Sequence, residues 1–221
     1  MNKIKNILKV LIISLISIPT LVYAVPDAPP GGGGPGGMDG GNVSYSGANT
    51  ISTDIEEENL TYSSETGNQN AILASGGTST LTTCTINKTG DSCGDNSDFY
   101  GTNAAVLAYN GATLIIKGGS ITTNGSHANA VFAYGTGIIN ISDATIKTTS
   151  NNSGGVMVTG GGTLSANNVT VTTDGNSSAP IRSDRGGGNL TVNDGSYTSN
   201  GMGSPAIYST ANIVVNYSEL I

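Results

Sequence analysis

Residues 105–125 read "AVLAYNGATLIIKGGSITTNG", and the same pattern returns as "AVFAYGTGIINISDATIKTTS" (130–150), "GVMVTGGGTLSANNVTVTTDG" (155–175) and "PIRSDRGGGNLTVNDGSYTSNG" (180–201). Laid over one another, these segments bring Val106, Val131, Val156 and Ile181 into register at intervals of 25 residues, with Ile207 a further 26 on. An earlier copy, "AILASGGTSTLTTCTINKTG", starts near Ile72 and is separated from the next by "DSCGDNSDFYGT" (91–102). A fixed period of this length marks a stacked repeat, in which one unit cannot bury its own apolar face and stability comes from its neighbours. Within each unit apolar residues alternate in short runs, as in Leu114 and Ile116, Ile139 and Ile141, or Leu190 and Val192, with a third run carrying Ile121, Ile146, Val171 and Tyr197. Alternation is the signature of half-buried strands, not of helices. Glycines recur between the runs, at Gly77, Gly111, Gly161 and Gly186 and again at Gly90, Gly125, Gly175 and Gly201, where turns are expected to need left-handed backbone. Three short strands and three turns per unit, stacked about 4.8 Å apart, describe an all-β fold, a parallel β-helix of about six rungs. A propeller or a sandwich would also use short strands, but the constant unit and the lack of hairpin signals favour the solenoid.

Outward from the repeats, residues 1–24 carry Lys3 and Lys5, then an apolar run, then Val22 and Ala24 at the positions a signal peptidase reads. Lys9 and Pro19 leave the apolar run too short for a membrane anchor, so export is expected, with no membrane insertion after cleavage. Residues 25–41, rich in Pro and Gly, are expected to be a disordered linker. Residues 42–69, with Val43, Tyr45, Ile51, Ile55, Leu60 and Tyr62 at no helical spacing, are expected to be irregular strands capping the repeats of 70–221. The last copy breaks off at Ile221 inside a rung with no polar cap, which suggests a fragment or an end covered by a partner.

Without the leader's three lysines, 5 basic residues face 15 acidic ones, a net charge of −10. Such a chain is a poor partner for nucleic acid and for acidic polysaccharide. Candidate chemistry is sparse: His127, the sole histidine, has no Cys or His neighbour, and Asp143, Asp174 and Asp194 are scattered. Asp91, Asp95 and Asp98 lack the Gly and Glu of a calcium-binding loop and read as an acidic surface loop. Neither a catalytic set nor a metal or cofactor site is expected. Cys84 and Cys93, the only two cysteines, are close in sequence in an exported chain, and a disulfide between them is expected.

Alternation on the first strand of each unit puts Val106, Val131, Val156 and Ile181 inside and leaves an outward stripe of Leu107, Phe132, Met157, Arg182 and Tyr208, flanked by Tyr109, Tyr134 and Asp184. A continuous apolar and aromatic stripe marks a face that something covers. A ligand or another part of the same protein could do so, the 43–66 segment or a downstream region being candidates. Ser and Thr line the outside of the third strand, a ridge of the kind ice-binding solenoids carry, although Thr is also simply a good strand residue.

The stretches "SDFYGTNAAVLA" (97–108), "HANAVFAYGTG" (127–137), "DRGGGNLTVNDGSY" (184–197) and "GSPAIYST" (203–210) resemble those of secreted bacterial right-handed β-helix proteins, often adhesin-like or carbohydrate-binding domain-containing. The resemblance implies a right-handed coil, an exported or cell-surface protein, and a glycan or surface protein as partner, with no catalytic residues to carry over. The expected function is therefore non-enzymatic binding through the stripe. A structural stalk, a polysaccharide-active enzyme and an ice-binding protein are the alternatives.

Overall fold

The computed structural model describes residues 43–221; the expected signal peptide and linker lie outside them. The described chain winds into a parallel β-solenoid of about seven turns with about 25 residues per turn. Each turn lays down three strands. The first face is a seven-stranded parallel sheet made of Gly47–Ile51, Asn70–Ala74, Val106–Ala108, Val131–Tyr134, Val156–Thr159, Ile181–Ser183 and Ile207–Tyr208 in that order. Its register is the one the repeat requires, with Ile72 opposite Val106, Val106 opposite Val131, and so on through Val156, Ile181 and Ile207. The second and third faces join into one bent sheet, because Gly162–Thr173 and Gly188–Ser199 run unbroken round the corner between them.

Left-handed residues make that corner, one in most turns and a second, Gly119 or Gly195, in two of them. Asn59, Thr83, Gly118, Asp143, Asn168, Asp194 and Tyr217 form a column, all with φ between 52° and 66°. Gly, Asn and Asp adopt this conformation at little cost, whereas Thr83 and Tyr217 occupy it under strain. The glycines of the corner between third and first faces serve a different purpose from the one expected. At Gly175 and Gly201 a Cβ would come within 1.9 and 1.7 Å of a backbone oxygen in the turn beneath, so close stacking, not left-handed backbone, demands glycine there.

Inside, like residues stack in columns: Leu114, Ile139, Leu164 and Leu190 in one, Ile116, Ile141, Ala166 and Val192 in another, Ile86, Ile121, Ile146, Val171 and Tyr197 in a third, all buried. Burying each large aliphatic side chain contributes roughly 1.5–3 kcal/mol, and the columns repeat that gain turn by turn. A polar column runs beside them. Ser153, Ser178 and Ser204 each accept a backbone N–H from the preceding turn at 2.8–3.0 Å and donate to a carbonyl at 2.9–3.2 Å. Each hydroxyl replaces a ladder bond where the backbone bends away. Ser178→Ala should therefore cost about 1–3 kcal/mol, read as a lowered denaturation midpoint, because it strands the Ser153 N–H in the interior.

Two expectations need correction. Residues 43–69 form a regular coil at the first end of the stack: Gly47–Ile51, Glu56–Glu58 and Thr61–Ser64 pair in parallel with the next turn, which gives about seven turns where six were expected. Cys84 and Cys93 are both free, the first buried and the second exposed. The left-handed Thr83 turns the Cys84 side chain into a column of small core residues with Ala144 and Val169, its Sγ 3.5 Å from the Thr82 carbonyl oxygen, while Cys93 sits on the outer insertion. Closeness in sequence does not bring together side chains on opposite sides of a sheet.

A lidded side face and an open Arg182–Tyr208 corner

Pairing along the first face lines up Thr50, Leu73, Leu107, Phe132, Met157, Arg182 and Tyr208, so the stripe does lie on the outside of the coil. It is not, however, a free binding face. Leu107, Phe132 and Met157 are fully buried, and with Leu73 and Ala104 they form a second apolar core against which Tyr45, Tyr109 and Tyr134 pack. The cover is the insertion between the second and third turns, which carries the short helix Asp95–Tyr100. At Gly101, the left-handed residue that ends the helix, a Cβ would touch the Phe132 ring at 2.9 Å and Leu107 at 3.0 Å. The chain leaves the helix pressed onto the stripe.

Polar contacts pin this lid from several turns. Thr159 Oγ1 donates to the Phe99 carbonyl at 2.6 Å, and Asn70 Nδ2 donates to the carbonyls of Gly101 and Ala104, both at 2.8 Å. Asp98 meets His127 Nδ1 at 2.7 Å, and Asp95 meets Arg185 at 2.8 Å, whose guanidinium stands 3.8 Å over the Phe99 ring. Asp91 accepts the Ser126 N–H at 2.7 Å. The three aspartates thus hold three separate partners, not one point in space. Tyr45 packs against Tyr109 with ring centres 4.4 Å apart and the rings tilted by 41°, and Tyr100 meets Tyr134 edge-on at 5.5 Å. Burial, reinforced by Tyr134, Tyr109 and Tyr100, pushes the Tyr45 hydroxyl well above the usual tyrosine range, and burial followed by Tyr100 raises Tyr134.

Beyond the lid the stripe reaches solvent at Tyr208, with the largely buried Arg182 and Asp184 packed beside it. Arg182 donates through Nη2 at 2.8 Å and Nε at 3.3 Å to the same Asp184 oxygen, and the other oxygen accepts the Arg185 N–H at 2.9 Å. Asp184 therefore holds the guanidinium flat against the coil. Its Cζ lies 5.6 Å from the centre of the Tyr208 ring, which is 43% exposed. Ser177, Ala179, Gly203 and Pro205 complete a shallow, open depression around the pair. An aromatic face beside a fixed planar cation, over a floor of small residues, can receive a sugar ring and hydrogen-bond its hydroxyls.

Of the eight residues expected to bind, the structure gathers Arg182, Asp184 and Tyr208 at this corner, leaves Tyr109 and Tyr134 half-buried against the lid, and removes Leu107, Phe132 and Met157 from solvent. Sequence reasoning missed Pro205 and Gly203; their one signal was the turn composition of "GMGSPA". Among the described residues no group of three or more His, Cys, Asp or Glu side chains comes together in a way that could hold a metal ion. Comparison with protein-family models, with curated proteins and with solved structures gives no match. Fold and site together define a parallel β-solenoid with one lidded side face and one open aromatic corner.

Proposed function

We propose that the protein is an exported, non-enzymatic surface module that binds a glycan at the Arg182–Tyr208 corner. The observation that carries this reading is the guanidinium of Arg182, oriented by Asp184 beside an exposed tyrosine ring. Because Asp184 neutralises Arg182 and the exported chain carries 10 more acidic than basic residues, the ligand class is a neutral sugar, not a uronic acid polymer. A cleavage reaction would need two carboxylates flanking the glycosidic bond, and both oxygens of Asp184 are already engaged. Export itself rests on the charge and apolar pattern of residues 1–24.

Retention on immobilised neutral polysaccharides tests the reading. Tyr208→Ala should weaken retention about tenfold, the loss of one stacking contact of roughly 1–1.5 kcal/mol, while thermal unfolding stays close to wild type. Retention unchanged in this variant, or absent in the wild-type protein, would discard the assignment.

A further inference from the structure

The lid is not the only cover on the side face. Residues 43–46, which precede the first strand, bring Tyr45 onto the second apolar core, its ring centre 4.4 Å from that of Tyr109 and 6.5 Å from that of Tyr134. Tyr109 and Tyr134 follow the paired Ala108 and Ala133, so they hold the same place in successive turns and form a two-step aromatic platform on the outside of the coil. At the left-handed Gly160 a Cβ would meet the Tyr134 ring at 2.6 Å. Glycine there lets the ring lie close against the next turn.

Tyr45 fits this platform imperfectly. Its hydroxyl is buried and has no hydrogen-bond partner among the described residues, an arrangement that costs free energy because the group has left water without being repaid. The arm that carries it has few ties. Among the described residues Val43, Ser44 and Tyr45 make no hydrogen bond, and the ladder to the next turn begins at the Ser46 carbonyl, which accepts the Asn70 N–H at 2.8 Å. The lid, by contrast, is tied down by Thr159, Asn70, His127 and Arg185.

We propose that residues 43–46 are a releasable strap and that the Tyr109–Tyr134 platform beneath Tyr45 is a second sugar-binding site. The ligand class rests on the glycan reading of the Arg182–Tyr208 corner. Tyr45 shows what the place accepts: one flat six-membered ring laid against two aromatic side chains. A neutral sugar ring has that size, offers C–H groups to the tyrosine faces, and carries its hydroxyls at the rim, where water reaches them. Displacing Tyr45 exchanges one unpaired buried hydroxyl for several at a wet edge.

Tyr45→Ser should raise retention on immobilised glucan, mannan or chitin about tenfold, the gain of one stacking contact, and a further Tyr134→Ala should remove that gain with the fold intact by thermal unfolding. In the unaltered protein Tyr45 should resist a tyrosine-nitrating reagent and become reactive when soluble oligosaccharides of the same three kinds are added, a readout that needs no variant. Retention unchanged in Tyr45→Ser, a gain that survives Tyr134→Ala, or a Tyr45 equally unreactive with and without oligosaccharide would each overturn the proposal. Tyr208→Ala in the unaltered background tests the corner separately. If that variant loses retention while Tyr45→Ser changes nothing, the corner stands and the strap falls. If Tyr45→Ser gains retention while Tyr208→Ala loses none, the strap stands and the corner falls.

Discussion

Phe132→Ala should lower the stability of the protein by about 3–5 kcal/mol and leave glycan retention where it was. The ring is fully buried between Leu107 and Met157 on one side of the sheet and Gly101 of the lid above, and Gly101 has no side chain with which to fill the space. The anchors of the lid, Thr159 to Phe99 and Asn70 to Gly101 and Ala104, fix the backbone over the site, so collapse into the cavity is limited. A poorly relaxing cavity puts the loss in the upper part of the range for aromatic truncation. Denaturant unfolding of wild type and variant, with retention measured on the same samples, separates the two roles. Weakened retention with unchanged stability would mean that the stripe, not the open corner, meets the ligand.

Between about pH 8 and pH 10 stability should rise, and the rise should vanish in Lys88→Met. Lys88 is fully buried inside the coil, in the column that Thr123, Thr148 and Thr173 fill in later turns. Its Nζ donates to the carbonyls of Thr66 at 2.7 Å and Gly90 at 3.0 Å. Two acceptors suit a neutral amine; the third proton of an ammonium finds no third carbonyl. Burial pulls the amine from 10.5 down to about 8, with the Asp91 carboxylate opposing the shift. Below pH 8 the lysine is charged in both states, and folding carries the full cost of burying the charge. Between about 8 and 10.5 the unfolded chain holds more protons than the folded one, so stability climbs as pH rises, by at most about 3 kcal/mol.

Tyrosines set the upper bound of that window. Tyr45, Tyr62 and Tyr197 are held protonated beyond the ordinary range chiefly by burial, aided at Tyr62 by its bond to Glu57. From about pH 10 the unfolded chain loses these protons while the folded one keeps them, and stability falls. A maximum near pH 10 in wild type and a flat approach to it in Lys88→Met are the expected curves of midpoint against pH. A wild-type curve that is level from 7 to 10 would refute the account.

What could be read from the sequence is whatever repeats. The 25-residue recurrence from Val106 to Val131, Val156 and Ile181 placed each coil in register with the next, and alternation told the inward Val131 from the outward Phe132. Both follow from local geometry, since a strand's side chains alternate whatever lies beyond them. The serine column at 153, 178 and 204 carried the same period and could have been found in the same way.

What covers the outward stripe was decided only in three dimensions. "DSCGDNSDFYGT" has no period and reads as an acidic loop, yet its helix docks on Phe132 because Arg185, His127 and Thr159, from three other turns, stand where Asp95, Asp98 and Phe99 can reach them. Cys84 went into the core for a similar reason, since the corner residue Thr83 determines which way its neighbour faces. Contacts between residues 29 to 90 positions apart depend on the stacking of whole turns, and a linear pattern encodes the turns without encoding which irregular segment will lie across them. The period built the coil; its packing chose the lid and left the Arg182–Tyr208 corner open.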